Sequence, residues 1–169
     1  MRSQALMVKE FTEESTGISL PKKPCPMDQN AVEFLAKMMF SEIVELLMTH
    51  HKTHEEALEV AKNLLDQDFK EKESTCNNSR VWPLSVNTQI EEQMDALVDC
   101  HYYALNAAAK HGMNIDPVFD LVHQANMNKR DPTTKQFLRR DDGKIIKPVG
   151  WKPADISKEV ERQLQHGSF

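Results

Sequence analysis

The chemistry of this 169-residue chain is concentrated in carboxylates at helical spacing. In Phe40-Ser41-Glu42-Ile43-Val44-Glu45-Leu46, each residue advances ~100° around a helix axis. Counted from Phe34, Glu45 falls at ~20° and Glu42 at ~80°. Both therefore share the arc of Met38, Leu35 and Leu46, whereas Glu33, Lys37 and Ser41 form the polar side. An isolated carboxylate in apolar surroundings costs several kcal/mol, so such groups are normally paired or bound to a cation. A second stretch carries Glu91, Glu92, Asp95 and Asp99, with Asn106 continuing the same stripe and Tyr102 and Tyr103 on its flanks. No Lys or Arg neutralises this stripe locally, and like charges at i,i+4 destabilise a helix by a few tenths of a kcal/mol. Two facing helices of this kind would hold cations between them. Oxygen-only ligands suit Mg2+ or Mn2+ rather than zinc. The alternative for the second stretch alone is a solvated acidic face.

Charge is divided along the chain. The total is -5, which argues against a general nucleic-acid binder. Between Asn126 and Lys152, however, eight basic residues face three acidic ones, a net +5, so the rest carries -10. An acidic body followed by a basic loop can hold a polyphosphate, with cations bridging oxygens to carboxylates and Lys or Arg gripping the remainder. A basic loop simply docked on an acidic surface is the competing explanation.

The elements that must position these groups read as helices. The chain is rich in Leu, Ala, Glu, Met and Lys and has only five glycines. A short helix over 4–15 stops at Gly17, and a loop with Pro21, Pro24 and Pro26 follows. Asp28 or Asn30 caps a second helix reaching about residue 49. Thr53-His54-Glu55-Glu56 opens a third, reaching about residue 72, as a capping box. Residues 73–86 read as a polar loop. Asn87 or Thr88 caps a fourth helix that ends at Gly112, Asp116-Pro117 opens a fifth to about residue 128, and Asp155 caps a short sixth. Within the basic loop, 129–154, Asp142-Gly143 suits a tight turn between short strands at 137–139 and 144–146. The expected architecture is one all-α domain over 1–169, a bundle of four to five main helices with a basic C-terminal loop. No apolar run reaches the ~18 residues of a membrane helix. Three cysteines without CxxC spacing fit a reducing, cytoplasmic compartment. His50 and His54 are i,i+4, but no third zinc ligand accompanies them.

Glu42-x-x-Glu45 followed by a second acidic helix resembles the all-α NTP pyrophosphohydrolase superfamily, the MazG-like and phosphoribosyl-ATP pyrophosphohydrolase-like proteins. Val8-Lys9-Glu10-Phe11, Asp95-Ala-Leu-Val-Asp99 and Asp116-Pro-Val-Phe119 are similar to one branch of it. So are Val122-His-Gln-Ala-Asn-Met-Asn-Lys129 and Gly143-Lys-Ile-Ile-Lys-Pro-Val-Gly-Trp-Lys-Pro153. The resemblance implies Mg2+-dependent hydrolysis of a nucleotide-like small molecule at its α–β phosphate bond, in a homodimer or higher homo-oligomer. It implies a metal set of Glu42, Glu45, Asp95 and Asp99, with Glu45, then Glu42, acting on water. Lys129, Lys144 and Lys147 would face phosphoryl oxygens, and Asn106 and Asn126 the base or sugar. Trp151 would stack on a base or, as a lone Trp more often does, anchor the loop. Two positions depart from the superfamily pattern: Ser41 stands where an acid usually precedes Glu42, and Ala96 where many members have the first acid of Glu-x-x-Asp. They leave a second reading open, a helical nucleotide-binding module that keeps the fold and has lost turnover. Neither nucleic acid nor membrane is an expected partner.

Overall fold

The computed structural model describes residues 3–75, 83–140 and 144–168. Among them are six helices: α1 (Gln4–Thr16), α2 (Gln29–Met48), α3 (His54–Thr75), α4 (Val86–Lys110), α5 (Asp116–Met127) and α6 (Ser157–His166). The all-α class expected from composition is the observed one. No β-ladder longer than an isolated bridge occurs among the described residues.

Local chemistry sets the helix ends. Ser3 accepts from the Leu6 amide at the start of α1, and Gly17 ends it with φ 69, a left-handed conformation that costs glycine nothing. Asp28, rather than Asn30, caps α2 by accepting from the Ala31 amide at 2.8 Å. At α3, Thr53 Oγ1 accepts from the Glu56 amide, and Glu56 reaches back to the Lys52 amide. α4 starts at Val86, two residues earlier than the nearer predicted cap, Asn87, would place it. Ser85 is the cap, its hydroxyl oxygen accepting from the Thr88 amide at 3.1 Å, because a serine just outside the first turn can satisfy an orphan N–H. Gly112, at φ 66, closes α4, and the Met113 amide returns to the Ala108 carbonyl. α3 extends three residues beyond its predicted end, to Thr75. The rest of the predicted polar loop up to residue 82 and the Asp142-Gly143 turn lie outside the described residues.

The chain groups into two compact units, Pro24–Asp95 and the combination of Met1–Lys23 with Ala96–Phe169. In the first, α2 packs along α3, and Ala57 is fully buried. Gln93 on α4 holds the Pro-rich segment there, its amide accepting from the Met27 N–H and donating to the Met27 carbonyl.

In the second unit, α1 packs on α5. Met7 and Ser15 of α1 and His123, Ala125 and Met127 of α5 are buried. Phe11 meets Phe137 edge to face at 5.5 Å, so the basic segment joins this core. α6 is latched onto the turn after α4: Gln163 exchanges hydrogen bonds with the Asn114 backbone, and Arg162 grips Glu159 through both carboxylate oxygens. The Arg162 and Gln163 hydrogen bonds hold the Glu159 carboxyl down at about 2. In the basic loop, antiparallel bridges join Arg130 to Phe137 and Arg139 to Ile145. The Ile146 amide donates to the Leu138 carbonyl, and the Arg140 amide to the Lys144 carbonyl. The expected pairing of 137–139 with 144–146 is thus present as one isolated bridge, Arg139 with Ile145, rather than as strands.

The Asp28 cap is testable. Asp28→Ala should cost about 1 kcal/mol and lower Tm by roughly 2–4 °C. Asp28→Asn, which keeps the acceptor, should leave thermal unfolding nearly unchanged.

Candidate functional site

Glu42 and Glu45 stand one turn apart on α2, both exposed. The side of α2 that meets α3 is the one carrying Phe40, Ile43 and Val44, which line an apolar cavity of about 460 Å3 with Leu58, Ala61 and Leu65. The arc shared by the two glutamates faces elsewhere, and apart from the half-buried Leu35 its apolar members are exposed, Phe34 to 66% and Leu46 to 69%. The sequence expectation of carboxylates packed among apolar side chains is therefore not met within one chain. Only part of the apolar circumference of α2 finds a partner, and no α2 residue is buried. Asp95 and Asp99 are exposed on α4, Asp95 closing the Pro24–Asp95 unit and Asp99 belonging to the other, while Asn106 is half-buried.

Among the described residues, the side chains of Glu42, Glu45, Asp95 and Asp99 have no hydrogen bond or ion pair with any protein group. No three His, Cys, Asp or Glu side chains among the described residues form a cation cage. The donor set nonetheless fits Mg2+ in its chemistry. It consists of unengaged carboxylate oxygens, and Mg2+ commonly takes only one or two carboxylates beside water and phosphate.

The basic loop is sorted by its contacts. Arg130 pairs with Glu14 near the end of α1 and lies over the Phe137 ring, 5.6 Å from its centroid. Arg139 Nε donates to the Ser15 carbonyl at 2.7 Å. The last carbonyls of a helix lack intrahelical donors and carry partial negative charge, so a guanidinium there satisfies both needs. These two arginines dock the loop, which gives the docked-loop explanation a share of the positive charge. Lys144 is also engaged, so it is not a free cation.

Lys129, Lys147, Trp151 and Asn126 come together. The Trp151 indole N–H donates to the Ala125 carbonyl at 2.8 Å. The Trp151 amide donates to the Pro148 carbonyl, and Gly150 adopts φ 82 to make that turn. The indole is thereby fixed against α5, with Lys147 Nζ 4.5 Å and Lys129 Nζ 5.5 Å from its centroid. Lys129 Nζ also donates to Asn126 Oδ1 at 2.7 Å. Partial burial, and secondarily the nearby Lys147 charge, pushes the Lys129 ammonium below the usual lysine range. Beside this cluster, Leu121, Gln124, Asn128 and residues 148–155 line a groove of about 540 Å3.

Sequence patterns did not reveal which basic side chains dock and which stay open. Arg130 and Arg139 were counted with the lysines, and only the position of the end of α1 separates them. His123 was also missed: buried on α5, it has Nε2 3.9 Å from Glu10 Oε2. Its place on the packed face of a helical pattern was the one available signal.

A family model described as "Phosphoribosyl-ATP pyrophosphohydrolase" matches residues 17–126. The crystal structure of a protein from Exiguobacterium sp. 255-15, provisionally assigned as an NTP pyrophosphohydrolase, is similar to this chain at 27% identity. That likeness covers 97% of both chains with a TM-score of 0.81. No curated protein matches the chain. The family match spans Glu42, Glu45, Asp95, Asp99, Asn106 and Asn126, and ends before Lys129.

Trp151→Phe keeps an aromatic ring and removes the indole donor. Losing that hydrogen bond should cost about 1 kcal/mol. A Tm drop of roughly 2–4 °C, with faster proteolysis inside 129–154, is the expected outcome.

Proposed function

Because the chain belongs to the phosphoribosyl-ATP pyrophosphohydrolase family, we propose that it is a Mg2+-dependent nucleoside triphosphate pyrophosphohydrolase. It releases a nucleoside monophosphate and pyrophosphate. The observation that carries this reading is the set of four unengaged carboxylates, Glu42, Glu45, Asp95 and Asp99, all within the residues the family model matches. Carboxylates left without protein partners on two helices leave oxygen donors free for a cation. The similarity to the Exiguobacterium structure extends over nearly the whole chain and supports the same reading.

Glu42, Glu45, Asp95 and Asp99 would hold the metal. When bound, Mg2+ neutralises phosphate charge and makes coordinated water more acidic. Glu45 orients the attacking water and takes its proton, with Glu42 beside it. The water oxygen bonds to the α-phosphorus as the bond to the α–β bridging oxygen breaks, and pyrophosphate departs with that electron pair. Lys129, Lys144 and Lys147 offset the growing charge on the phosphoryl oxygens. Asn106 and Asn126 face the base or sugar, Asn126 while bonded to Lys129. Trp151 serves chiefly as the anchor of the loop. No covalent intermediate is required.

A second copy of the chain completes the apolar arc of α2 and the exposed face of α3. Phe34, Leu46 and Phe69 are 66%, 69% and 77% exposed. Burying each such side chain is worth about 1.5–3 kcal/mol, which favours association of the surfaces that carry them. Among the described residues, no helix is long and apolar enough to cross a membrane. Ser41 and Ala96 favour one competing reading, nucleotide binding without turnover, because each replaces an acid usual in the superfamily.

Incubation with canonical and modified (d)NTPs plus Mg2+ should release pyrophosphate from at least one of them, and chelation should stop it. Glu45→Gln should lower kcat by about 10²-fold or more, the usual contribution of a general base. Absence of release from every nucleotide, with a nucleotide-induced rise in Tm, would establish the binding module instead. Light scattering should find a dimer or larger assembly, and Leu46→Glu should shift it toward monomer.

A further inference from the structure

We propose that Met48 and His54, at the turn between α2 and α3, form a chelate for a soft monovalent cation of the Cu+ class. The pair is distinct from the carboxylates and the basic loop, and it stands whether or not the chain hydrolyses a nucleotide. His54 Nδ1 lies 3.0 Å from Met48 Sδ, six positions away in the chain. A thioether carries no proton, so Nδ1–H donates in this contact and Nε2 holds the lone pair of the ring. Helical spacing pairs His54 with His50; the structure gives it a sulfur. His50 turns its own Nδ1 to Thr49 Oγ1 at 2.8 Å, and that hydroxyl donates to the Leu46 carbonyl. The change of partner changes the metal. Zinc takes imidazole, thiolate and carboxylate, whereas a thioether beside an imidazole selects Cu+.

The two donors are fixed before any metal arrives. Met48 is the last residue of α2 and His54 the first of α3, and these helices pack together. The Thr49 amide closes α2 on the Leu46 and Leu47 carbonyls, and the Thr53 box opens α3. Donors carried on capped helix ends lose little further freedom on chelation. Metal–nitrogen and metal–sulfur bonds of ~2.0 and ~2.3 Å set two donors ~3.0–3.7 Å apart at angles of ~90–120°. The observed separation stands at the short end of that range. Both residues are exposed, so the ion enters from solvent and water completes its coordination. Binding moves the Nδ1 proton to Nε2 through solvent, so the imidazole stays neutral and no electron is transferred. The Glu56 side chain is turned to the Lys52 amide. Among the described residues, no three His, Cys, Asp or Glu side chains gather into a competing harder site.

Ag+ serves as the probe, a monovalent ion with the same preference for soft donors and no redox change. It is titrated into the full chain after Cys25, Cys76 and Cys100 are blocked with N-ethylmaleimide, since thiolates also bind soft cations. The nine methionines are labelled with carbon-13 at the methyl group, and Met48→Leu assigns the Met48 signal. The Met48 methyl should shift and saturate at a single equivalent of Ag+, and Zn2+ should leave it in place. His54→Gln should weaken the response about 10²-fold, because the remaining donor loses the effective concentration that its partner supplied. The other methyl signals report whether that variant folds, and the titration of the unsubstituted chain decides the matter if it does not. A Met48 methyl unmoved by excess Ag+, or equal affinity in folded His54→Gln, overturns the chelate. A Met48 response to Zn2+ as strong as that to Ag+ overturns the assignment to a soft ion.

Discussion

The hydrogen bond from the Trp151 indole to the Ala125 carbonyl organises the part of the molecule that sequence patterns describe least. Among its described residues, the segment between α5 and α6 has neither a helix nor a ladder to hold it. Such a segment keeps one conformation only if side chains pin it to something rigid, since each ordered residue costs about 1–2 kcal/mol of conformational entropy. The rigid element is the α1–α5 pair, and the pins are Trp151 on Ala125, Arg139 on the Ser15 carbonyl and Arg130 on Glu14. Phe137 against Phe11 adds an apolar pin. Asp131 stabilises the intervening turn by accepting from the Thr133 and Thr134 amides, which also keeps its own carboxyl below the usual range. Lys129 and Lys147 owe their shared position to these pins.

Charge without a protein partner is the second theme. Four carboxylates on α2 and α4 and two ammonium groups on the loop lack ionic partners among the described residues. Some other charges pair locally, as in Lys9 with Glu13 and Glu159 with Arg162.

The apolar surface tells a parallel story. α2 contributes only one side to α3 and leaves another uncovered, and the glutamates of the family pattern lie on the uncovered side. The proposed catalytic acids and the proposed association surface thus share one helical arc, which couples the environment of Glu42 and Glu45 to whatever covers Phe34 and Leu46.

Helices, caps and motif positions were legible from the residues themselves because they depend on neighbours within four positions. The Asp28 cap, the Thr53 box, the Gly17 and Gly112 stops and the α2 and α4 acidic spacing all follow from i,i+3 and i,i+4 chemistry. Helical periodicity also showed that Glu42 and Glu45 share an apolar arc, but it could not say whether that arc is covered, since burial depends on a partner surface remote in sequence or on another chain. The division of one basic run into docking arginines and open lysines was equally out of reach. It is decided by where the carbonyl end of α1 and the Ala125 carbonyl of α5 stand in space, 124 residues from Arg139 in one case and 26 residues from Trp151 in the other. Local spacing determined which side chains could do chemistry; only the tertiary structure, through long-range hydrogen bonds and desolvation, decided which of them are left free to do it.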